Sequence, residues 1–480
     1  MNHDIHWSST SVRGVPGIRL LALLTSAAVL GGCASFSPDG GFAPVERIAK
    51  DRLGKDVQWA RSDAGQDSIT QRVTELLSRP LTVDDAVQVA LLNNRGLQAS
   101  FQELGITEAE VVQAGRLPNP GFSFGRSSKG DEREIERGLH FNLGRLLAMP
   151  LINQMEARRF AQTQGLVAMN VLALAADTRK AYYNALAAEE TVRYMLKVRQ
   201  AAEASSELAR RMEQVGNFNK LQRAREQMFL AEASTNLARA EQAQRATRER
   251  LTRLLGAWGA QTQFTLPERL PDLPKTVLDL PDIERVALAQ RLDVLGARQA
   301  SELTARNLGL TRTTRFINVL ELGVKSIGSN EGPTERGWEV GFELPLFDWS
   351  GARVARAEAV YMQSLHRAAE TAVNARSEVR EAYTGYRSAY DIARHQRDEV
   401  VPLSQRIAEE NLLRYNGMLI GVFELLADAR TQIAVVHGSI HALRDFWIAQ
   451  ADLDMALIGR PTLAAAAGPA TAAETAKPGH

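Results

Sequence analysis

The sequence predicts a mainly α-helical protein that contributes strands to a membrane β-barrel and consists of two tandem repeats of helix, strand pair and long helical hairpin. Three observations support this fold class. Landmarks along the 480 residues recur at nearly one spacing. Two very long segments are made of good helix formers. Each half of the chain also has strands that alternate apolar and polar side chains.

Charge and hydropathy exclude some classes of protein. The formal net charge is +1, and the charged residues of both signs are interspersed, so nucleic acid is not an expected partner. After the N-terminus no run of 18 uncharged apolar residues occurs. The mature chain is therefore not expected to cross a membrane as a helix.

The N-terminus has the layout of a signal peptide over residues 1–32. Arg13 and Arg19 precede an apolar run from Leu20 to Leu30, and small residues follow before a cysteine. This predicts export and cleavage of the segment.

Cys33 is the only cysteine of the protein. The stretch Leu30-Gly31-Gly32-Cys33 resembles the bacterial lipobox, in which the thiol accepts a diacylglycerol and becomes the new N-terminus. The alternative is a chance cysteine after an ordinary signal peptide. Since Ala34, and not aspartate, follows the cysteine, sorting to the outer membrane is implied, and outer-membrane lipid is an expected partner. A lone cysteine also excludes disulfides within one chain.

Four landmarks indicate an internal duplication. They are Val89-Ala90-Leu91 with Val286-Ala287-Leu288, Pro150 with Gly351, Gly216 with Gly417, and Leu254-Leu255-Gly256 with Leu457-Ile458-Gly459. The offsets lie between 197 and 203 residues. Four ordered pairs at nearly one offset predict two homologous halves.

Each half is expected to contain a very long helix that ends at a glycine turn. Leu151 to Val215 has no proline, and its Ala, Leu, Arg, Glu and Gln content favours a helix of about 100 Å. The second half repeats this pattern from Gly351. Pro402 is expected to interrupt that second helix, because proline removes a backbone donor.

The strands are predicted where side chains alternate with period two. In the second half, Trp338 to Leu346 and Leu320 to Val324 place apolar residues on one face. In the first half, Leu139, Phe141 and Leu143 follow a shorter pair, Phe122 and Phe124. The expected loops are Ser127 to Glu136 and Gly328 to Arg336. The alternation fits a barrel strand but is also natural in a soluble antiparallel sheet.

Four strands per chain cannot close a barrel. Open sheet edges in hydrocarbon leave unpaired backbone groups, so the remaining strands must come from other copies. The smallest membrane barrels have about eight strands and are filled by side chains. An open pore therefore needs at least three copies, and a homotrimer is predicted.

Three segments resemble the TolC-like outer-membrane efflux factor family, in particular its lipoprotein members. They are Leu81 to Leu97 with Arg116-Leu-Pro-Asn-Pro120, Trp338 to Trp349, and Arg414-Tyr-Asn-Gly417 followed by Phe423-Glu-Leu-Leu426. The resemblance covers about residues 75 to 460. It implies a trimer with a twelve-strand outer-membrane barrel and a periplasmic α-helical tunnel, and passive conduction of small molecules or ions. It also implies a periplasmic adaptor protein and an inner-membrane transporter as partners.

The resemblance also assigns site residues. The tunnel tips that would contact the adaptor are Gln214, Val215, Gly216, Asn217, Tyr415, Asn416, Gly417 and Met418. Glycine is expected at both turns because a reversal between helices commonly needs positive φ. Glu424 and Asp428, four residues apart on one helix face, are the candidate gate carboxylates. The alternative for the glycines is a role in the turn alone. The alternative for Glu424 and Asp428 is two solvated charges on a helix face.

Enzyme chemistry is not predicted. His437 and His441 have the spacing of a helical zinc site but lack the glutamate of the HExxH signature. No GxSxG elbow or Walker loop occurs. No catalytic residue, metal or cofactor is therefore expected. Two alternatives to an efflux channel remain, namely a type I protein-secretion channel and a lipid-anchored periplasmic helical adaptor or scaffold.

These observations divide the chain into five parts. They are a signal peptide (1–32), a lipidated N-terminal segment (33–75), a first repeat (76–265), a second repeat (275–460) and a flexible tail (461–480). The sequence defines no structure for residues 36–75, and it does not identify the cargo.

Overall fold

The computed structural model describes residues 35–313, 320–342, 347 and 349–461, without the side chains of 313, 422–424 and 426–429. In chain order the elements are α1 (Ala43–Leu53), α2 (Asp63–Leu77), α3 (Val83–Asn93), α4 (Arg95–Ala114), β1 (Gly121–Lys129), β2 (Glu132–Asn142), α5 (Leu143–Gln214), α6 (Lys220–Leu255), α7 (Ile283–Gln290), α8 (Leu292–Thr313), β3 (Leu320–Ser329), β4 (Glu335–Phe342), α9 (Gly351–His395), α10 (Val401–Asn416) and α11 (Val422–Ile458). The order of helix, strand pair and long helical hairpin occurs twice, as predicted.

The chain forms two compact units. The sheet unit takes in the described residues of Met1–Gly41, Gly105–Ala161 and Ala305–Ala359, and the helical unit takes in those of Phe42–Leu104, Gln162–Thr304 and Val360–His480. No helix within the described ranges combines the length and the apolar composition needed to cross a membrane.

The sheet unit contains one antiparallel sheet with the order β1-β2-β3-β4. β2 of the first repeat pairs directly with β3 of the second, for example Leu139 with Val324. The sheet therefore joins the two repeats, and its edges are β1 and β4.

The strands of the first repeat are longer than predicted. β1 and β2 are hydrogen-bonded to Lys129 and Glu132, so the turn is only residues 130–131, with Gly130 at φ +61°. Most of the expected loop from Ser127 to Glu136 is thus strand. Similarly, β3 extends to Ser329, and only residues 330–334 separate it from β4. Charged residues favour a loop in the sequence, whereas in the structure they lie in regular alternation along the strands. Predicted strand residues 343–346 lie outside the described residues.

The first long helix begins at Leu143, before the predicted start at Pro150. The side chain of Asn142 accepts a hydrogen bond from the backbone N–H of Arg145 at 2.7 Å, which is the arrangement of a helix N-cap. Leu143 is therefore helical and not the last strand residue, and Pro150 lies inside the helix.

The second long helix begins at Gly351, as predicted, and is interrupted near Pro402. Residues 396–400 form a wider π-turn between α9 and α10, and Pro402 lies in the first turn of α10. This position suits proline, because the first turn of a helix has N–H groups without intrahelical partners.

The helical unit has its largest apolar core where α2, α3, α5 and α6 pack together. Its fully buried side chains include Val73, Ala86, Leu186 and Leu251. Burial of a leucine or valine side chain stabilises the fold by about 1.5–3 kcal/mol. Since α1 and most of α2 lie within residues 36–75 and α2 contributes Val73 to this core, this segment is ordered in the structure, although the sequence alone defines no structure there.

The two repeats hold their last helix in similar ways. In the first repeat, the side chain of Asn94 donates to the carbonyl of Leu254 at the end of α6, at 3.0 Å. In the second, the guanidinium of Arg291 donates to the carbonyl of Ala456 near the end of α11, at 3.3 Å. In each case the residue that follows a short helix satisfies a carbonyl that has no intrahelical partner.

Candidate functional site

The first hairpin turn joins α5 to α6. Gly216 has φ +81°, the N–H of Asn217 donates to the carbonyl of Met212 at 2.8 Å, and the N–H of Gly216 donates to that of Glu213 at 3.0 Å. This pair of hydrogen bonds is a Schellman motif. Asn219 and Gln222 then form a reciprocal capping box at the start of α6. The predicted tip from Gln214 to Asn217 is confirmed as a turn.

The second hairpin turn, between α10 and α11, is also a Schellman motif. The N–H of Leu419 donates to the carbonyl of Arg414 at 2.8 Å, and the N–H of Met418 donates to that of Tyr415 at 2.9 Å. Here the positive φ, +60°, falls on Met418, whereas Gly417 has φ −81°. The prediction that Gly417 supplies positive φ is therefore wrong. Its structural partner in the first repeat is Val215, and Met418 corresponds to Gly216.

Both turns present apolar side chains to solvent. Val215 and Leu221 are exposed at the first turn, and Met418 and Leu419 are 93% and 77% exposed at the second. Leu419 was missed in the sequence because the glycines were aligned one residue out of step. Exposed apolar residues that occur together are typical of a surface that binds a partner.

The remaining predicted site residues have no described side chains. Cys33 lies outside the described residues. Glu424 and Asp428 are positions of α11, but their side chains are likewise outside the described part of the chain. Their role as gate carboxylates stays a prediction.

Directly after these positions, Arg430 joins α11 to the first hairpin. Its guanidinium lies 3.6 Å from the carboxylate of Glu226, which is only 1% exposed, and 4.6 Å from the ring centre of Phe229. Glu226 also accepts a hydrogen bond from the hydroxyl of Ser205 at 2.8 Å. The start of α11 is thus held to α5 and α6 by one buried charge and one aromatic ring.

A groove of about 600 Å³ runs between α5, α6 and α11, and His437 and His441 lie on its α11 wall. Their ring centres are 4.3 Å apart. Burial, followed by the positive charge of Arg444, lowers the pKa of His437 and lowers that of His441 to about 4. Both rings are therefore neutral at pH 7. Within the described residues, no group of three or more His, Cys, Asp or Glu side chains is placed to hold a metal ion.

The two faces of the sheet differ in character. One face, here called the apolar face, carries eleven apolar side chains. They are Phe122, Phe124, Ile135, Leu139, Phe141, Leu320, Leu322, Val324, Trp338, Val340 and Phe342. Trp338 is 74% and Phe122 is 70% exposed. Among the described residues, much of this apolar face is thus exposed.

The other face, here called the polar face, carries a connected set of polar groups. The imidazole of His140 lies 2.9 Å from the hydroxyl of Ser123 and 3.4 Å from the carboxylate of Glu339. Lys325 lies 3.9 Å from the same carboxylate. Gly138 and Gly323 provide room here, because a Cβ on either would overlap the side chain of Ser123 or Glu339. The alternation predicted from the sequence is confirmed as one apolar and one polar face.

Comparison with known proteins supports the resemblance. No family model matches the chain. The chain is 27% identical over 304 residues to the cobalt-zinc-cadmium resistance protein CzcC of Cupriavidus metallidurans, an alignment that covers 60% of this chain and 68% of the relative.

Solved structures share the fold. The Campylobacter jejuni CmeC outer-membrane channel matches with a TM-score of 0.68 at 14% identity, over 86% of this chain and 91% of that one. The CusC transmembrane channel matches with a TM-score of 0.65 at 18% identity, over 79% and 92%. These relatives are channels, in agreement with the prediction that the chain is not an enzyme. The resemblance predicted from the sequence is therefore confirmed: the chain has the fold of the TolC-like outer-membrane efflux factors.

Proposed function

We propose that the chain is the outer-membrane channel of a tripartite efflux system and passively conducts small molecules or ions from the periplasm to the exterior. The observation that carries this function is the sheet. It has an exposed apolar face, a charged opposite face and two free edges, on a fold shared with the CmeC and CusC channels. Such a sheet suits a wall between lipid and water.

Three copies are proposed to close the pore. β1 and β4 are the edges of the four-strand sheet, and free edges are not tolerated in hydrocarbon. Three chains supply twelve strands in total, which exceeds the number at which side chains fill the interior. The helices would continue this barrel as a periplasmic tunnel.

The two hairpin turns are proposed to contact a periplasmic adaptor, which in turn binds an inner-membrane transporter. Support comes from the exposed apolar side chains of Val215, Leu221, Met418 and Leu419. Glu424 and Asp428, on the first turns of α11, are proposed as a cation-attracting gate beyond the second tip.

Divalent metal cations are the proposed cargo class. The relative CzcC is named for resistance to cobalt, zinc and cadmium. The polar face of the sheet, which carries six glutamates, would attract cations. Deletion of the gene would distinguish this cargo from the alternatives. Growth is measured separately on cobalt, zinc and cadmium and on drugs, and the amount of exported protein is measured in the medium.

Cys33 is proposed as the lipid attachment site, in agreement with the lipobox-like sequence before it. Mass spectrometry of the mature N-terminus tests this assignment. A diacylglyceryl group on Cys33 is expected, and Cys33→Ser should abolish it.

Extraction and conductance test the channel. Detergent is expected to release a heat-resistant trimer, and the trimer should give stepwise conductance in planar bilayers. The control is the Cys33→Ser protein, which should still require detergent because its strands remain in the membrane. A water-soluble monomer from that variant would contradict the channel and favour the lipid-anchored scaffold.

A further inference from the structure

The strand β2 carries six residues in which charge alternates almost perfectly. Residues 132–137 read Glu-Arg-Glu-Ile-Glu-Arg. Because successive side chains of a strand point to opposite faces, the glutamates lie on the polar face, and Arg133 and Arg137 lie on the apolar face. The same separation holds on β4, where Glu335 is on the polar face and Arg336 on the apolar one.

The register collects these arginines at one end of the apolar face. Arg137 and Arg336 both pair with Ser326 of the intervening strand, which places them about 10 Å apart. Arg126 lies one row nearer the β1–β2 turn at residues 130–131, opposite Ile135. With Arg133, these residues form what we call the arginine cluster.

No acid shares the apolar face with the arginine cluster along the described strands. Among the described residues, none of the four guanidiniums lies within ion-pair distance of a carboxylate, and all four residues are exposed. Other exposed arginines of this chain, such as Arg210 and Arg414, do pair with a glutamate on their own helix. The positive charge of the cluster is thus not neutralised by any described carboxylate.

Phe124 lies in the same row as Arg137 and Arg336, and the next row away from the strand turns is entirely apolar. It consists of Phe122, Leu139, Val324 and Trp338. An exposed tryptophan between apolar side chains and basic side chains is typical of the level of lipid headgroups. Guanidinium groups bind phosphate through two parallel hydrogen bonds.

We propose that the arginine cluster binds the phosphate groups of anionic membrane lipid at the leaflet nearer the turns of the strand pairs, residues 130–131 and 330–334. This proposal rests on the proposed function, because it requires the apolar face to lie in a bilayer. Lipid is the favoured occupant because the arginines share one face with eleven apolar side chains, which suits acyl chains next to a phosphate.

Tryptophan quenching by brominated lipid can test this binding. The full-length protein is reconstituted in phosphatidylcholine bilayers that contain a fixed fraction of either brominated phosphatidylglycerol or brominated phosphatidylcholine. The Trp338→Phe variant identifies the part of the quenching that comes from Trp338. We expect the anionic lipid to be preferred at Trp338 by at least about five-fold, the effect of one basic residue at an anionic surface.

The double variant Arg137→Gln with Arg336→Gln removes two of the four guanidiniums and should lower this preference several-fold. A charge-retaining double variant, Arg137→Lys with Arg336→Lys, should keep most of it and guards against a folding defect. Lys325→Gln is the control, since it removes a half-buried cation from the same sheet but from the polar face, and it should leave the preference unchanged.

The outcomes separate the two proposals. Equal quenching of the native protein by both lipids, or an unchanged preference in the glutamine variant, would overturn lipid binding by the arginine cluster but not the proposed function. If neither lipid quenches Trp338, the apolar face does not lie in a bilayer, and the proposed function is overturned with it.

Discussion

Gly216 and Met418 occupy the same position of two equivalent Schellman turns, with φ of +81° and +60°. Only glycine adopts this region without steric cost. A non-glycine residue there costs about 1–2 kcal/mol. The second hairpin turn is therefore built with a strained methionine where the first has a glycine.

We expect Gly216→Ala to loosen the first turn. A Cβ at this position would have no atom within 4 Å, so the cost of the substitution is backbone strain of about 1–2 kcal/mol. This corresponds to roughly tenfold faster amide exchange at Asn217. Met418→Gly should slow exchange at Leu419. Hydrogen exchange followed by mass spectrometry measures both. Gly417→Ala is the control, because φ −81° suits alanine, and a large effect of this variant would contradict the assignment.

Arg430→Gln should release the start of α11 from the first hairpin. The substitution removes the positive charge from the nearly buried Glu226, and loss of one partner of such a pair costs about 1–3 kcal/mol. Faster amide exchange in α11 and a larger single-channel conductance are expected. Arg414→Gln is the control, since Arg414 is exposed and pairs only with Glu410 along its own helix. Equal effects of the two variants would refute a special role for Arg430.

His441 is expected to make the helical unit less stable in acid. Its pKa is lowered to about 4 by burial and by Arg444, whereas an unfolded histidine titrates near 6.5. Between these values the unfolded chain binds more protons, so the contribution of His441 is present above about pH 6.5 and is lost as the pH falls towards 4.

His441→Gln should therefore reduce the drop in melting temperature between pH 7.5 and pH 4.5, with little change at pH 7.5. Because His441 is only half-buried, the difference is expected to be small. The exposed His366→Gln serves as the control. A drop as large as that of the native protein would show that His441 does not sense pH.

Arg291→Ala should destabilise the helical unit by about 3–5 kcal/mol. The guanidinium is 1% exposed and lies 2.7 Å from Asp293 and 2.6 Å from Glu378. Its removal takes the cation from Asp293 and leaves Glu378 only the exposed Arg460, 3.8 Å away. Thermal unfolding measures the loss. Arg298→Ala, at an exposed position of α8, the helix that follows Arg291, should change the melting temperature little.

The polar face should make the pore prefer cations. Glu134→Gln with Glu136→Gln removes two negative charges per chain from this face and is expected to shift the reversal potential in a salt gradient towards weaker cation preference. Arg126→Gln changes a charge on the apolar face and should leave the reversal potential in place. Equal shifts in the two variants would place the pore elsewhere.

The duplication, the long helices and the two-faced strands can be predicted from the sequence alone, because each depends on a repeated or local pattern. Repeated landmarks, proline-free helix formers and alternation along β4 can all be read without knowing what packs on what. The recognition of the family depended on the same short segments.

The relationships between distant residues are visible only in the folded chain. Comparison of the two repeats in the sequence pairs Gly216 with Gly417, whereas in the backbone Gly216 corresponds to Met418. A one-residue difference in where a helix ends leaves the composition of that helix unchanged, so the sequence does not reveal it. Arg430 meets Glu226 because α11 packs on α5 and α6. Arg137 and Arg336 lie together only because β3 pairs with both of their strands. Contacts of this kind depend on register and packing between elements far apart in the chain, which no local period encodes.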